Sequence, residues 1–202
     1  MTIYLMIDSI ITLDKELFLI LNNNLEHWFN DIFLGGFTII GYTHFLLPIA
    51  ASYLYIINKH NFRSNLFILI AAALFGGFLI QIIKHVVQRP RPLSEMAPLI
   101  LAGKVHIHNL FYPYHSNSFP SGHTQSAFGI AVVLICINQR HVTYLLLIAS
   151  LIGLSRIYVG VHFPLDVICG AIVGALSSLL VFNLCSKYFP KQEPLINNKV
   201  GL

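Results

Sequence analysis

The sequence predicts an all-α fold, a polytopic membrane helical bundle with five transmembrane helices and an N-terminal interfacial helix, or six spans if residues 3–20 also cross. Three observations predict it. Of the 202 residues 56% are hydrophobic and 10% charged, with mean hydropathy +0.73, whereas a soluble domain is usually about 25% charged. The apolar residues gather into runs near the ~20 residues a helix needs to cross about 30 Å of hydrocarbon. Motifs rich in histidine, arginine and proline sit where those runs begin or end. The length suits one domain over residues 1–202.

Taken in order, residues 3–28 read as an amphipathic helix lying in the interface, because charges alternate with Leu and Ile and Trp28 marks a water boundary. Four charges between Asp8 and Glu16 argue against a span there. Lacking a positively charged leading region, this segment is not expected to be a cleavable signal. Spans are expected near Ile32–Ile57, Leu66–Val87, Ser121–Ile137, Val142–Val161 and Pro164–Cys185. The first is over-long and contains Gly35, Gly36, Gly41, His44 and Pro48, so it should tilt or bend. The third is short, and its Ser, Thr and Gln must face other helices or a site. Residues 88–120 form an outer loop and 187–202 a tail.

Lys59 and Arg63, Arg140, and Lys187 and Lys191 fall on one side of this arrangement, which the positive-inside rule assigns to the cytoplasm. The tail is then cytoplasmic, and the 88–120 loop faces outward, into the periplasm of a cell with two membranes. Basic residues in that outer loop run against the rule, and a functional need for cations explains the exception. The net charge of +4 implies no nucleic-acid partner, because Lys84, Arg89, Arg91 and Arg156 belong to motifs. Cys136, Cys169 and Cys185 lie inside apolar runs without metal-binding spacing and read as packing residues.

Three stretches carry the chemistry. In Lys84–Pro92 (KHVVQRPRP), Pro90 and Pro92 stop the helix and stiffen its exit, so Arg91 is held near Lys84. Arginine offers phosphate a bidentate fork and lysine a point charge; the bland alternative is snorkelling at the membrane edge. Arg89 and His85 are assigned to that interface. Pro120–His123 (PSGH) opens the third span, where unpaired amides make an anion site. Gly122 permits close backbone approach, the Ser121 hydroxyl can donate, and His123 can protonate a leaving oxygen. The plain alternative is a helix cap with an incidental histidine.

In Ser155–Asp166 (SRIYVGVHFPLD), Asp166 stands four residues beyond His162. A carboxylate there can hold one ring nitrogen protonated and leave the other free to attack phosphorus, with Arg156 clamping the oxygens. The structural alternative is a buried His–Asp bond joining two helices. Phosphate chemistry at a membrane surface points to a lipid phosphatase.

These three motifs resemble the signatures of the type 2 phosphatidic acid phosphatase superfamily, with unbroken spacing inside each. The resemblance implies Lys84, Arg91 and Arg156 as phosphate ligands, assisted by Ser121 and Gly122. It implies His162 as nucleophile, Asp166 as its orienting partner and His123 as acid and then base, through a phosphohistidine. No cofactor or metal is implied, since no carboxylate cluster remains for Mg²⁺. The partners implied are a lipid phosphate and the membrane, with no obligate protein partner.

The leading expectation is hydrolysis of undecaprenyl diphosphate or phosphatidylglycerophosphate. Lipid A phosphate, or transfer to a lipid acceptor, is the alternative. Vanadate-dependent halide oxidation, another activity of this resemblance, is opposed by the apolar spans. A non-catalytic lipid-phosphate-binding scaffold or transporter is the reading from a different class. His106, His108 and His115 are expected to be solvated loop residues, and Phe111, Tyr112, Tyr114 and Phe119 to sit in the headgroup belt or shape a lipid entrance.

Overall fold

The computed structural model describes residues 2–111 and 116–188. Tyr112, Tyr114 and His115, and the tail beyond Tyr188 with Lys191, lie outside the described residues. In chain order the helices are α1 (Thr2–Asn24), α2 (Trp28–Ile40), α3 (Thr43–Ile57), α4 (Phe62–Val87), the short α5 (Pro92–Glu95) and α6 (Ala97–Leu101), α7 (Gly122–Ile137), α8 (Val142–Tyr158) and α9 (Pro164–Cys185), with a 3₁₀ turn at Gln139–His141. The described residues include no strand.

Three segments are long and apolar enough to cross a membrane: Phe62–Leu101, Gln139–Tyr158 and Pro164–Cys185. The pair α2–α3 counts as a fourth if taken as one broken span, and Gly122–Ile137 is apolar but shorter. The expected first span therefore does bend, by 77°. The break falls at Gly41–Tyr42, not at Pro48, which sits inside a continuous α3. Gly41 is packed so closely on α8 that a Cβ there would lie 2.7 Å from Ile152.

The central helix is α7, which packs on α9, α4, α8 and α3. With no lipid-side hydrophobic drive between helices, such contacts depend on small residues that let backbones meet. A Cβ on Gly174 of α9 would fall 2.3 Å from the Gln125 carbonyl oxygen, and one on Gly170 would fall 2.5 Å from that of Ser121. Thr124, Gln125 and Ser126 are buried in these contacts, as the polar content of this short span requires. Outward faces carry rows of exposed apolar residues, including Phe67, Leu74 and Phe78 on α4 and Ile168, Ile172 and Leu176 on α9. Rows of that extent suit hydrocarbon and would not suit water.

The α1 helix is not among the segments apolar enough to span. Its buried stripe is Asp14, Phe18 and Asn22, four residues apart, while Leu13, Leu17 and Ile20 face outward. Phe18 packs edge-on against Phe163 at 5.3 Å and joins Met96, Ile107 and Ile157 in a small core. Burial of one such ring contributes about 1.5–3 kcal/mol. Asn22 donates to the carbonyls of His108, Ile157 and Tyr158 at 2.9, 3.2 and 2.7 Å. The amino-terminal helix is thus docked by its polar face onto the end of α8.

Candidate active site

The three motifs meet at one end of the bundle, where α4 and α8 finish and α7 and α9 start. Helix α4 ends at Val87, capped by Gln88 in the left-handed region at φ 50°. The chain then turns through Pro90 and presents Arg91 beside α5. Arg91 is held as the paired prolines predict: its guanidinium donates to the Ser116 carbonyl, the Ser116 hydroxyl and the Val161 carbonyl, each at 2.9 Å. Lys84 donates from Nζ to the carbonyls of Asn117 and Ser118 at 2.6 and 3.3 Å. The Asn117 side chain returns a bond to the Lys84 carbonyl at 3.0 Å. Motif one is therefore bound directly to the segment leading into motif two.

Motif two is bound in turn to motif three. The Ser121 amide donates to the Asp166 carbonyl at 2.9 Å, and the Ser121 hydroxyl accepts from Thr124 at 3.0 Å. A Cβ on Gly122 would meet nothing nearer than Ile80 at 3.9 Å, so this first turn of α7 is open. His123 rests edge-on against the ring of Tyr42 at 4.5 Å, a contact made by the bend between α2 and α3. Its Nε2 is buried with no protein partner. It lies within electrostatic reach of Arg156, His162, Arg91 and Lys84.

Motif three turns a corner at Gly160, whose φ of +77° suits glycine, and a Cβ there would lie 2.7 Å from the His108 carbonyl. The Arg156 carbonyl accepts from the amides of Val161 and His162, both at 3.2 Å, which closes the turn. His162 Nδ1 faces Asp166 Oδ2 at 3.4 Å, within ion-pair range and beyond ordinary hydrogen-bond length. Asp166 Oδ2 also caps α9 by accepting from the Phe163 amide at 2.9 Å. Burial pushes the His162 imidazole down to about 3, with Asp166 pulling against it and Arg91 and Arg156 adding to it. That direction favours the neutral ring, the form in which a nitrogen lone pair is available.

All eight candidate residues lie in this one region, and they differ in exposure. Arg91, Ser121, Arg156, His162 and Asp166 are buried, while Lys84, Gly122 and His123 are partly open. Among the described residues, no three His, Cys, Asp or Glu side chains cluster as a metal site would require.

Two residues escaped the sequence reading. Arg89, assigned there to the membrane interface, is turned inward. Its Nη1 donates to Asp166 Oδ1 at 2.9 Å and its Nη2 to Asp14 Oδ2 at 2.6 Å, with the guanidinium 4.1 Å from the Phe163 ring centroid. Asp14, read as part of an interfacial face, is 3% exposed. His108 also departs from its expected solvated state, since it pairs with Asp31 at 2.8 Å and Glu26 at 3.4 Å, whereas His106 is exposed.

Comparison with known proteins decides the family. The family described as the PAP2 superfamily matches residues 65–190, which contain all three motifs. The chain belongs to that superfamily. It is 31% identical over 194 residues to a lipid A 4'-phosphatase of Bacteroides thetaiotaomicron, covering 90% of this chain and 81% of the relative. A bacitracin transport permease protein of Bacillus licheniformis is 46% identical over 66 residues, so this match spans only 32% of that relative and 33% of this chain. Further relatives in Bacillus subtilis are named phosphatidylglycerophosphatase B and undecaprenyl-diphosphatase.

Among solved structures, the crystal structure of Aquifex aeolicus LpxE is similar, with a TM-score of 0.68 and 36% identity. The likeness covers 83% of this chain and 93% of that one. As a PAP2 superfamily chain with apolar spanning helices, this is an integral membrane protein.

Proposed function

We propose that this chain is a metal-independent membrane lipid phosphatase that cleaves a lipid phosphate monoester or diphosphate through a phosphohistidine on His162. The observation that carries the proposal is the convergence of a buried His162–Asp166 pair, the open first turn of α7 with His123, two anchored cations, Lys84 and Arg91, and the buried Arg156 at one end of the bundle. Asp166 faces Nδ1, so the attacking atom is Nε2. Lys84, Arg91 and Arg156, with the Ser121 hydroxyl and the Gly122 region, meet the charge on the phosphoryl oxygens. His162 Nε2 forms the N–P bond while the P–O bond to the lipid breaks, and His123 gives that oxygen its proton. Water then attacks phosphorus, His123 takes the water's proton, and the N–P bond breaks to release phosphate and restore His162.

The substrates proposed first are undecaprenyl diphosphate and phosphatidylglycerophosphate, supported by two relatives' names. Lipid A phosphate is a second reading, supported by a relative matched over 90% of this chain and 81% of its own length. The lipid-bearing setting proposed is five spans (α2–α3 as one, α4, α7, α8 and α9) with α1 at the interface, in a bacterial inner membrane with the site facing the periplasm. The orientation is supported by the basic residues Lys59, Arg63 and Arg140 at the opposite end.

The test is phosphate release by detergent-purified protein in EDTA from a panel of these three lipids. Turnover without metal, lost by at least ~10³-fold in His162→Ala, is expected. A requirement for Mg²⁺, or lipid binding without turnover, contradicts the proposal.

A further inference from the structure

The Arg89 guanidinium bridges two buried carboxylates that are far apart in sequence, one in the proposed site and one on the amino-terminal helix. Asp166 Oδ1 accepts from Nη1 and Asp14 Oδ2 from Nη2. Asp14 is also fixed to motif three itself, because its Oδ1 accepts from the Leu165 amide at 2.8 Å, one residue before Asp166. Every oxygen of the two carboxylates is thereby engaged: Asp14 by Arg89 and the α9 amide, Asp166 by Arg89, the Phe163 amide and His162. Glu95 also faces this cluster, 4.0 Å from Arg89 Nε and paired with Lys15 at 2.5 Å.

From this geometry we infer that Asp14 is a positioning residue for the reaction, acting through Arg89 and Asp166 on His162, so that a docked α1 is part of the active enzyme. The inference rests on the phosphatase reading above. Its basis is charge balance. Asp14, Arg89 and Asp166 together carry one net negative charge, and the Lys15–Glu95 pair leaves that unchanged. When His162 attacks phosphorus its ring gains positive charge, and the negative cluster stabilises it at the buried Nδ1 edge. Without the Asp14 charge, Arg89 would bear on Asp166 alone and cancel it. The ground state, with His162 neutral, would feel this much less. Asp14 therefore raises the rate of the covalent step more than it affects substrate binding. A purely structural Asp14, serving only to hold α1, would show no dependence on Asp166.

A double-mutant cycle separates the two roles. Asp14→Asn keeps an oxygen for the Leu165 amide but removes the charge from Arg89. It is measured for kcat and KM on whichever lipid of the panel the wild type hydrolyses, alone and combined with Asp166→Asn. A kcat loss of about 10- to 100-fold is expected, typical of a residue that orients a catalytic group from behind, with KM little changed. Asp14→Glu should restore part of it, and the loss should vanish in the Asp166→Asn background. An unchanged kcat, or a loss of equal size in that background, overturns the inference. Should Asp14→Asn not fold, Arg89→Lys, which cannot hold both carboxylates at once, supplies the same cycle; its loss must likewise disappear with Asp166→Asn, and a persistent loss overturns it. Failure of the phosphatase reading looks different: the wild type would turn over no lipid, or His162→Ala would stay active.

Discussion

Replacing Gly170 by alanine adds one methyl group at the seam between the two halves of the site. Gly170 lies on α9 one turn beyond Asp166, and it faces the backbone of Ser121 at the head of α7. The new Cβ would start 2.5 Å from the Ser121 carbonyl oxygen and 3.3 Å from its nitrogen and carbonyl carbon. No flexible side chain can yield there, so the helices themselves must part. To reach an ordinary 3.4 Å contact they separate by about 0.9 Å, carrying His162 and Asp166 away from Ser121, Gly122 and His123. Overpacking costs about 1–3 kcal/mol, and alanine's better helix propensity returns about 1 kcal/mol of it. The protein should therefore remain folded.

Activity should suffer more, since displacement near 1 Å in a catalytic geometry costs on the order of 10²-fold. Phosphate release and thermal stability are measured together, with Gly77→Ala as the comparison. A Cβ at Gly77 meets nothing within 4 Å, so that variant should keep wild-type turnover. Gly170→Ala with full turnover would refute the claim that this close contact sets the distance between the two histidines.

Two further outcomes follow from the same geometry. Arg91→Lys leaves one cationic point where three 2.9 Å bonds hold a guanidinium; losing two of them, at about 1 kcal/mol each, should lower kcat/KM by ~10- to 100-fold, and steady-state kinetics near wild type would show that charge alone suffices. Gly122→Ala, with open space at its Cβ, should leave the melting temperature within a degree or two while impairing hydrolysis; unimpaired hydrolysis would mean the substrate does not approach that backbone.

The site was legible in the sequence because each motif is a local string. Pro90 and Pro92 forced the exit that fixes Arg91, and the four-residue spacing put Asp166 in the first turn of α9 with His162 just before it. What was not legible is long-range. Asp14 and Arg89 are 75 residues apart, and nothing near Asp14 distinguishes it from Asp8 or Glu16, apart from its four-residue spacing to Phe18 and Asn22. Two of the three residues in that stripe are polar, and hydrophobic periodicity ignores such a face. A tilt or bend in the first expected span was legible from its length and from its glycines, His44 and Pro48, while the position of the bend at Gly41–Tyr42 depends on the close approach of Ile152 from another helix. His108 appeared solvated because its partners, Glu26 and Asp31, come from the far end of the chain.

The proposed reaction requires His162 to take up the phosphoryl group. Rapid acid-free quenching of the enzyme with a ³²P-labelled lipid phosphate, followed by peptide mapping, tests it directly. Label is expected on the peptide containing His162, stable to base and labile to acid, and none in His162→Ala. Label on another residue, or turnover with no labelled protein at any quench time and undiminished in His162→Ala, would contradict it.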